Sequence, residues 1–380
     1  MIPACDELEQ LPLAIKSLSK LPFRKVLVVV LNQTANASTT VDINNKSLRK
    51  LLLNWPNKQL SSNTHQIQHP TNNLDIVLIS HIEDHLHPKE GVGLARDIGM
   101  KTLCSFVNQG ALISPFIYST DADARFEQDY LAPLPQKKQT YIHSYLHTPA
   151  QAPLIIYEIG LRYYSLGLKS ANAPCPFPTI GSTITTHVKL YEKSFGFPNR
   201  QAGEDFYLLN KLSKLGPVHY LRRNPVKLVD RPSDRVPFGT GKGRAEIEAA
   251  QLKYKLYHPE VFKRLKIWFQ ALHEVPDSEL IEELDAIAPD FPGTEKLKKA
   301  IKQPVQGPRW LRRRLECFDL FWTMKWIHHM RDTQFPSLPY QEALRSASFI
   351  PEMDGDLQTQ QQILFLHERS MLTDQNYVLP

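Results

Sequence analysis

Ser114-Pro115-Phe116-Ile117-Tyr118-Ser119-Thr120-Asp121-Ala122-Asp123 sets a short apolar, β-leaning run directly before two carboxylates two residues apart. Open α/β sheets bind ligands in the crevice outside the carboxyl ends of their strands. Carboxylates there suit a hard divalent cation, which takes oxygen ligands and leaves positions for water or phosphate oxygens. The stretch reads as a strand followed by a grip for a metal and a diphosphate. Alone, Asp-x-Asp is also an ordinary surface-turn sequence, because aspartate readily bonds its own backbone in turns. The rest of the chain must decide.

Upstream, Leu8, Leu11, Ile15 and Leu18 form one apolar stripe and predict a helix from about Glu7 to Lys20. Val26-Leu-Val-Val-Val-Leu31 follows as a continuous apolar run, the pattern of a strand covered on both faces. Residues 44–60 read as a helix, Asp75–Ser80 as a second buried strand, 93–109 as a helix and 115–120 as the strand that delivers the aspartates. This alternation predicts an α/β fold: a Rossmann-like, mostly parallel sheet flanked by helices. Downstream, residues 153–169 and Gly203–Leu215 read as helices, the latter ended by Gly216-Pro217. Residues 230–243, rich in Gly, Pro and Arg, read as a mobile loop, and the chain from Ala245 onward is helical in pattern. The expected organisation is a first domain over 1–229, a flexible linker over 230–244 and a helical C-terminal domain over 245–380.

The 380 residues are 42% hydrophobic and 22% charged, ordinary globular material. No apolar run approaches the roughly 20 residues that span a bilayer, and Met1-Ile-Pro-Ala-Cys-Asp-Glu7 has neither the basic nor the apolar region of a secretory signal. Cys5, Cys104, Cys175 and Cys317 are scattered, giving neither a disulfide framework nor a zinc site and fitting a reducing cytoplasm. A net charge of +6 permits contact with anionic membranes or phosphates without demanding it.

Four segments then fall in a telling order. They are Ile2-Pro3-Ala4-Cys5-Asp6-Glu7 before a helix and strand, Gly91-Val-Gly-Leu-Ala-Arg96-Asp97-Ile-Gly99, Ser119-Thr-Asp121-Ala-Asp123, and Gly181-Ser182 followed by Gly203-Glu204-Asp205-Phe206. Over roughly residues 1–230 this order and spacing resembles family 2 glycosyltransferases, which have the GT-A nucleotide-diphospho-sugar transferase fold. The resemblance implies transfer of a sugar, of hexosyltransferase type, from a nucleotide diphosphate to a hydroxyl acceptor with inversion. It implies Mg²⁺ or Mn²⁺ held by Asp123, with Asp121 sharing the metal or contacting the ribose. It makes Asp205 the general base and Glu204 its orienting or acceptor-binding neighbour. It also implies nucleotide-sugar contacts from Pro3, Ala4, Glu7 and Arg96. The chemistry agrees: a leaving nucleoside diphosphate needs a cation, and an attacking hydroxyl needs a base. Acidic residues in a first helical turn also simply complement the helix dipole.

The chain departs from the family pattern in places. Cys5-Asp6 stands where the family has Tyr-Asn, and Asp97 where it has Asn, an acceptor in place of a donor. Asn32-Gln-Thr-Ala-Asn36 replaces the turn that reads the nucleobase. The family expects a longer first strand than one residue before Ile2 allows. Arg231, Arg235 and Lys242 fall in the loop where family members close over the donor, a common gate in transferases. Gly239-Thr-Gly-Lys-Gly243 lacks the pattern of a phosphate-binding P-loop. His81, Glu83, Asp84, His85 and His87 match no zinc spacing and read as solvated loop residues near the donor site. Arg309, Arg312, Arg313 and Arg314 open a long aromatic-rich helix. They read as a basic solvated face over a buried aromatic stripe, with peripheral contact to anionic lipid as the alternative; nucleic acid is not expected.

The expectation is a cytoplasmic, metal-dependent GT-A glycosyltransferase, peripheral at the inner face of the membrane if it contacts one. Its acceptor would be a glycan, a lipid-linked saccharide or a small hydroxyl compound in a polysaccharide pathway. The alternatives are a nucleotidyltransferase, which lacks its Gly-rich signature here, and a non-catalytic scaffold of the same fold.

Overall fold

A computed structural model describes residues 1–87, 90–230, 239–302, 309–373 and 376–377. In chain order the first elements are β1 (Ile2–Ala4), α1 (Gln10–Ser19), β2 (Lys25–Thr34), α2 (Thr39–Leu53), β3 (Asn57–Gln59), β4 (Thr64–Gln68), β5 (Leu74–Leu86) and α3 (Gly91–Asn108). There follow β6 (Phe116–Ser119), β7 (Ala124–Arg125), β8 (Thr140–His147), α4 (Ala152–Ser170), β9 (Ile184–His187), α5 (Val188–Lys193), α6 (Glu204–Leu215) and β10 (Val218–Leu228). The remainder is α7 (Thr240–Ala249), β11 (Lys255–Leu256), α8 (Pro259–Glu274), α9 (Leu280–Ile287), α10 (Pro292–Ile301), α11 (Arg309–Cys317), α12 (Leu320–Thr333), β12 (Leu338–Pro339), α13 (Tyr340–Ser346), α14 (Leu357–Leu372) and β13 (Asn376–Tyr377).

The chain divides into two compact units. One comprises Met1–Ala150, Thr179–Leu212 and Leu221–Lys242, the other Gln151–Pro178, Ser213–Tyr220 and Gly243–Pro380. Segments 151–178 and 213–220 thus belong with the C-terminal region, although they precede residue 229.

In the first unit, β1, β2 and β5 run parallel. Val28 to Leu31 at the centre are fully buried, with α2 and α3 packed against the sheet; this covering explains their unbroken apolar run. The parallel pattern stops there. β4 and β3 add to β5 as an antiparallel edge, and in a second sheet, ordered β10, β8, β9 and β6, β9 runs antiparallel to both β8 and β6. The expected mostly parallel sheet is therefore a mixed α/β arrangement. The two sheets meet where the Thr120 N–H donates to the Met1 carbonyl at 3.1 Å. That bond sets the end of β6, and with it Asp121, beside β1.

Several expectations need correction. The helix expected over 44–60 is α2, ending at Leu53, and β3 begins at Asn57. His81 to Leu86 continue β5 instead of looping: β2 runs on to Thr34 and pairs with them, and Ile82 and Leu86 alternate inward. Of the loop expected over 230–243, residues 231–238, including Arg231 and Arg235, lie outside the described residues, and Lys242 lies on α7. The long helix expected from Arg309 is two, α11 and α12, because the Asp319 side chain accepts from the Trp322 N–H and caps a new start. The four cysteines form no disulfide. No helix among the described residues is long and apolar enough to cross a membrane.

The second unit is helical. Its buried aromatic centre gathers Trp268 of α8, Phe291, Phe318 and Trp326 within 5.2–6.3 Å between ring centroids. Arg162 of α4, fully buried, pairs with Glu158 and with Glu368 of α14.

Candidate active site

The site is built around Arg96, on the second turn of α3. Its side chain is 6% exposed and its three nitrogens reach three side chains, from the end of β6, the turn after it and the start of α6. Nε donates to Glu204 Oε1 at 2.9 Å, Nη1 to Ser119 Oγ at 3.1 Å and Nη2 to Asp121 Oδ1 at 2.7 Å. Burial alone would lower the guanidinium's pKa; Asp121, Glu204 and Asp205 outweigh it and hold the pKa above its ordinary value. Phe197 lies 5.9 Å from the guanidinium carbon. Arg96 is thus neither a helix-surface residue nor an outward reach. It ties the strand-end aspartate to the helix-start glutamate.

Gly181 explains how so large a group fits. A Cβ at 181 would lie 2.7 Å from Arg96 Nη2, closer than real contacts allow. Only glycine lets the 3₁₀ turn at Gly181–Thr183 pass over the guanidinium. Gly203, with φ +72°, bends the chain into the first turn of α6. The glycines of α3 serve the same assembly. The Gly93 N–H donates to the Arg200 carbonyl at 3.1 Å, and a Cβ there would sit 2.2 Å from the Pro198 oxygen.

Four carboxylates cluster at this end of the unit. Glu204 is buried beside Arg96, and Asp205 follows it on α6 and is half-buried. The Asp205 carboxyl is pushed up to about 7, by burial first and then by Glu204, with Arg96 and the Phe206 N–H pulling the other way. Asp121 is also raised, again by burial before Arg96 draws it back, with Asp123 and Glu204 adding to the rise. Asp123 is half-buried one turn on, its carbonyl accepting from the Val229 N–H at 3.1 Å.

This mutual crowding is what a divalent cation would relieve, so Asp121 and Asp123 suit one. Among the described residues no group of three or more His, Cys, Asp or Glu side chains is arranged to hold a metal. The protein offers two carboxylates, leaving the remaining positions of a Mg²⁺ or Mn²⁺ to water and diphosphate oxygens. His81, on the central strand β5 of the first sheet, instead bonds Asp84 at 3.0 Å, and Glu83 pairs with Arg49.

The first motif is placed by backbone geometry. Pro3 and Ala4 pair with Val30 and Leu31 in the sheet, and the Ala4 carbonyl accepts from Asn32 Nδ2 at 3.1 Å. Asp6 adopts φ +59°, a left-handed conformation that aspartate tolerates. Its N–H donates to Asn45 Oδ1 at 2.9 Å and its carboxylate accepts from Asn44 at 2.6 Å. Glu7 is buried, its carbonyl receiving the Leu11 N–H at 3.0 Å. Asp97, next to Arg96, points elsewhere: it accepts from the Tyr191 hydroxyl at 2.8 Å and pairs with Lys101 at 2.6 Å. Tyr191 and Lys101 line an open groove of about 580 Å³ with Cys104, Glu192 and Phe195, whose lining includes none of the four carboxylates. Ser119 falls within the strand-end motif without a role being read for it, Phe197 lies outside all four motifs, and Gly181 opens the fourth.

No protein-family model matches this chain, and no curated protein matches it. Among solved structures it is similar to a mannosyltransferase from Pyrobaculum calidifontis in complex with GDP-Man and Mn²⁺. The identity is 14%, over 97% of this chain and 84% of that one, with a TM-score of 0.37.

Proposed function

We propose that the protein is an inverting, metal-dependent glycosyltransferase of the GT-A type, acting on a nucleotide-diphosphate sugar. One observation carries the reading. A single buried cation, Arg96, joins the carboxylate at the end of a strand to the acidic pair opening α6. The two motifs that a sugar transferase needs are thereby held as one site, although Asp121 and Asp205 lie far apart in sequence.

In this reading Asp123 and Asp121 hold the Mg²⁺ or Mn²⁺, which when bound neutralises charge on the departing diphosphate. Asp205 accepts the proton of the acceptor hydroxyl. A carboxyl raised to about 7 is a stronger base than an ordinary one and still ionises near neutral pH. Glu204, fixed by Arg96, keeps the first turn of α6 in place so that Asp205 does not drift. The acceptor would be a glycan, a lipid-linked saccharide or a small hydroxyl compound, with the reaction in the cytoplasm.

The test is thermal melting with a panel of nucleoside diphosphates and nucleotide sugars, with and without Mn²⁺, on the wild type and Asp123→Ala. A ligand that binds only the folded state raises Tm. A rise with one nucleotide that needs Mn²⁺ and vanishes in Asp123→Ala would support the donor site and name the base. No rise with any nucleotide, in folded protein, would return the chain to the scaffold reading.

A further inference from the structure

The positive charge of this chain is concentrated. Between Pro292 and Thr333 lie ten lysines and arginines against four aspartates and glutamates, so this stretch alone carries a formal +6, equal to the +6 of the whole chain. It makes α10, α11 and α12. α10 packs against α11, and Lys296 of α10 lies 5.3 Å from the ring centroid of Trp322 on α12.

Not all of this charge faces solvent. Arg314 is buried, donating to Asp277 and to the carbonyls of Leu272 and Val275. The four acids are already matched: Glu295 with Lys298, Glu316 with Arg312, Asp319 with Lys214 and Asp332 with Arg331. Lys298, Lys299, Lys302, Arg309 and Lys325 are exposed. Such an excess fits an anionic partner.

The aromatic residues decide which kind. Trp310 is 36% exposed, and Phe321 and Trp322 are half-buried. Their rings are engaged by the protein's own cations: Arg314 over Trp310 at 4.5 Å, Lys325 over Phe321 at 5.6 Å and Lys296 over Trp322. Trp322 also meets Phe291 and Phe321 edge to face. Nucleic-acid bases bind such surfaces by stacking on open ring faces, and each of these rings already has one of the protein's own cations over a face. A bilayer needs no open face. It takes an indole at the headgroup level and lysines and arginines against its anionic lipids.

We propose that α10, α11 and α12 form a docking surface for an anionic lipid bilayer, with Trp310 at the headgroup level. The proposal is independent of the transferase reading, because its test measures adsorption and not turnover.

The experiment is co-sedimentation of the full chain with vesicles of phosphatidylcholine alone and of phosphatidylcholine with about 30% phosphatidylglycerol, a charge density that attracts basic surfaces. The wild type should bind the anionic vesicles, ignore the neutral ones and be released as salt approaches about 0.5 M, where screening is short-ranged. Each basic side chain near the surface strengthens adsorption about fivefold. Lys298→Ala/Lys299→Ala/Arg309→Ala should therefore bind roughly a hundredfold more weakly with its melting temperature unchanged. Trp310→Ala should weaken binding at every salt concentration. Equal binding to neutral vesicles, binding insensitive to salt, or a triple variant as adherent as the wild type would overturn the proposal. So would displacement from anionic vesicles by single-stranded RNA at equal charge. The salt titration of the wild type decides even if the variant fails to fold.

Discussion

Arg96 Nε and Glu204 Oε1 lie 2.9 Å apart, joining positions separated by 108 residues. Both side chains are 6% exposed. Removing the guanidinium would strand Glu204 in a buried site without its cation, and breaking one partner of a buried pair typically costs about 3–5 kcal/mol. Arg96→Ala should lose stability of that order in denaturant unfolding. Arg96→Lys keeps the charge but cannot span Glu204, Ser119 and Asp121 together. It should lose less stability yet forfeit metal-dependent nucleotide binding, which thermal melting with Mn²⁺ would read.

Gly181 should tolerate no side chain. The methyl of Gly181→Ala would meet Arg96 Nη2 at 2.7 Å and push the guanidinium off its acceptors. Overpacking of this kind costs about 1–3 kcal/mol. The variant should fold and bind nucleotide poorly. Unaltered nucleotide binding would mean that Arg96 can shift without consequence.

The pH profile should bend near neutrality, and activity and stability should move in opposite directions. The Asp205 carboxyl is raised to about 7 by burial and then by Glu204. A base works as the carboxylate, so kcat/KM should climb with pH and level off above about 7. Folding stability does the reverse. The folded protein keeps a proton that the unfolded chain releases near pH 3.9, so stability falls as pH rises from about 4 through 7 and flattens above. Asp205→Asn should make that slope shallower without abolishing it, because the Asp121 carboxyl is raised as well, and should leave the protein more stable than wild type at pH 8. It should cut turnover by about 10²–10⁴-fold. Urea unfolding at several pH values, alongside rates, checks both.

Asp97 should separate from Arg96 in its effects. Asp97→Ala leaves the buried Tyr191 hydroxyl without this acceptor and should cost about 1–3 kcal/mol, with metal-dependent nucleotide binding retained. Asp97→Asn should be close to neutral, since its lysine partner is 64% exposed. Loss of nucleotide binding in a stable Asp97→Ala protein would move Asp97 into the donor site.

The sequence was most legible where one pattern had one cause. Val26 to Leu31 is apolar because both faces are covered, α1 announced itself by its apolar stripe, and α6 by the Gly216-Pro217 that ends it. What escaped was structure whose reason lies elsewhere in the chain. Thr64–Gln68 is a mostly polar strand between β3 and β5, recognisable only once those neighbours are beside it. Glu83, Asp84 and His85 look like loop because they are exposed, yet β2 continues past them. Thr140–His147 carries two histidines and two tyrosines along a buried strand; His143 is accommodated by Thr185 on β9, 2.9 Å away. The site followed the same rule. Asp121, Asp123, Glu204 and Asp205 could be picked out by local context, whereas the partners of Arg96 could not, because no local pattern encodes a contact across 108 residues.

The close seat of Gly93 on the backbone at Pro198 and Arg200 has a practical corollary for anyone reshaping this protein. Residues 91–93 and 198–201 touch main chain to main chain, with no side chain between them to absorb a misfit. A graft that carries the acidic pair of α6 into another scaffold must therefore bring the opening turn of α3 as part of the same cassette. An insertion placed between Phe197 and Gly203 would be felt first at the far end of α3 from Asn108, before it reached Glu204.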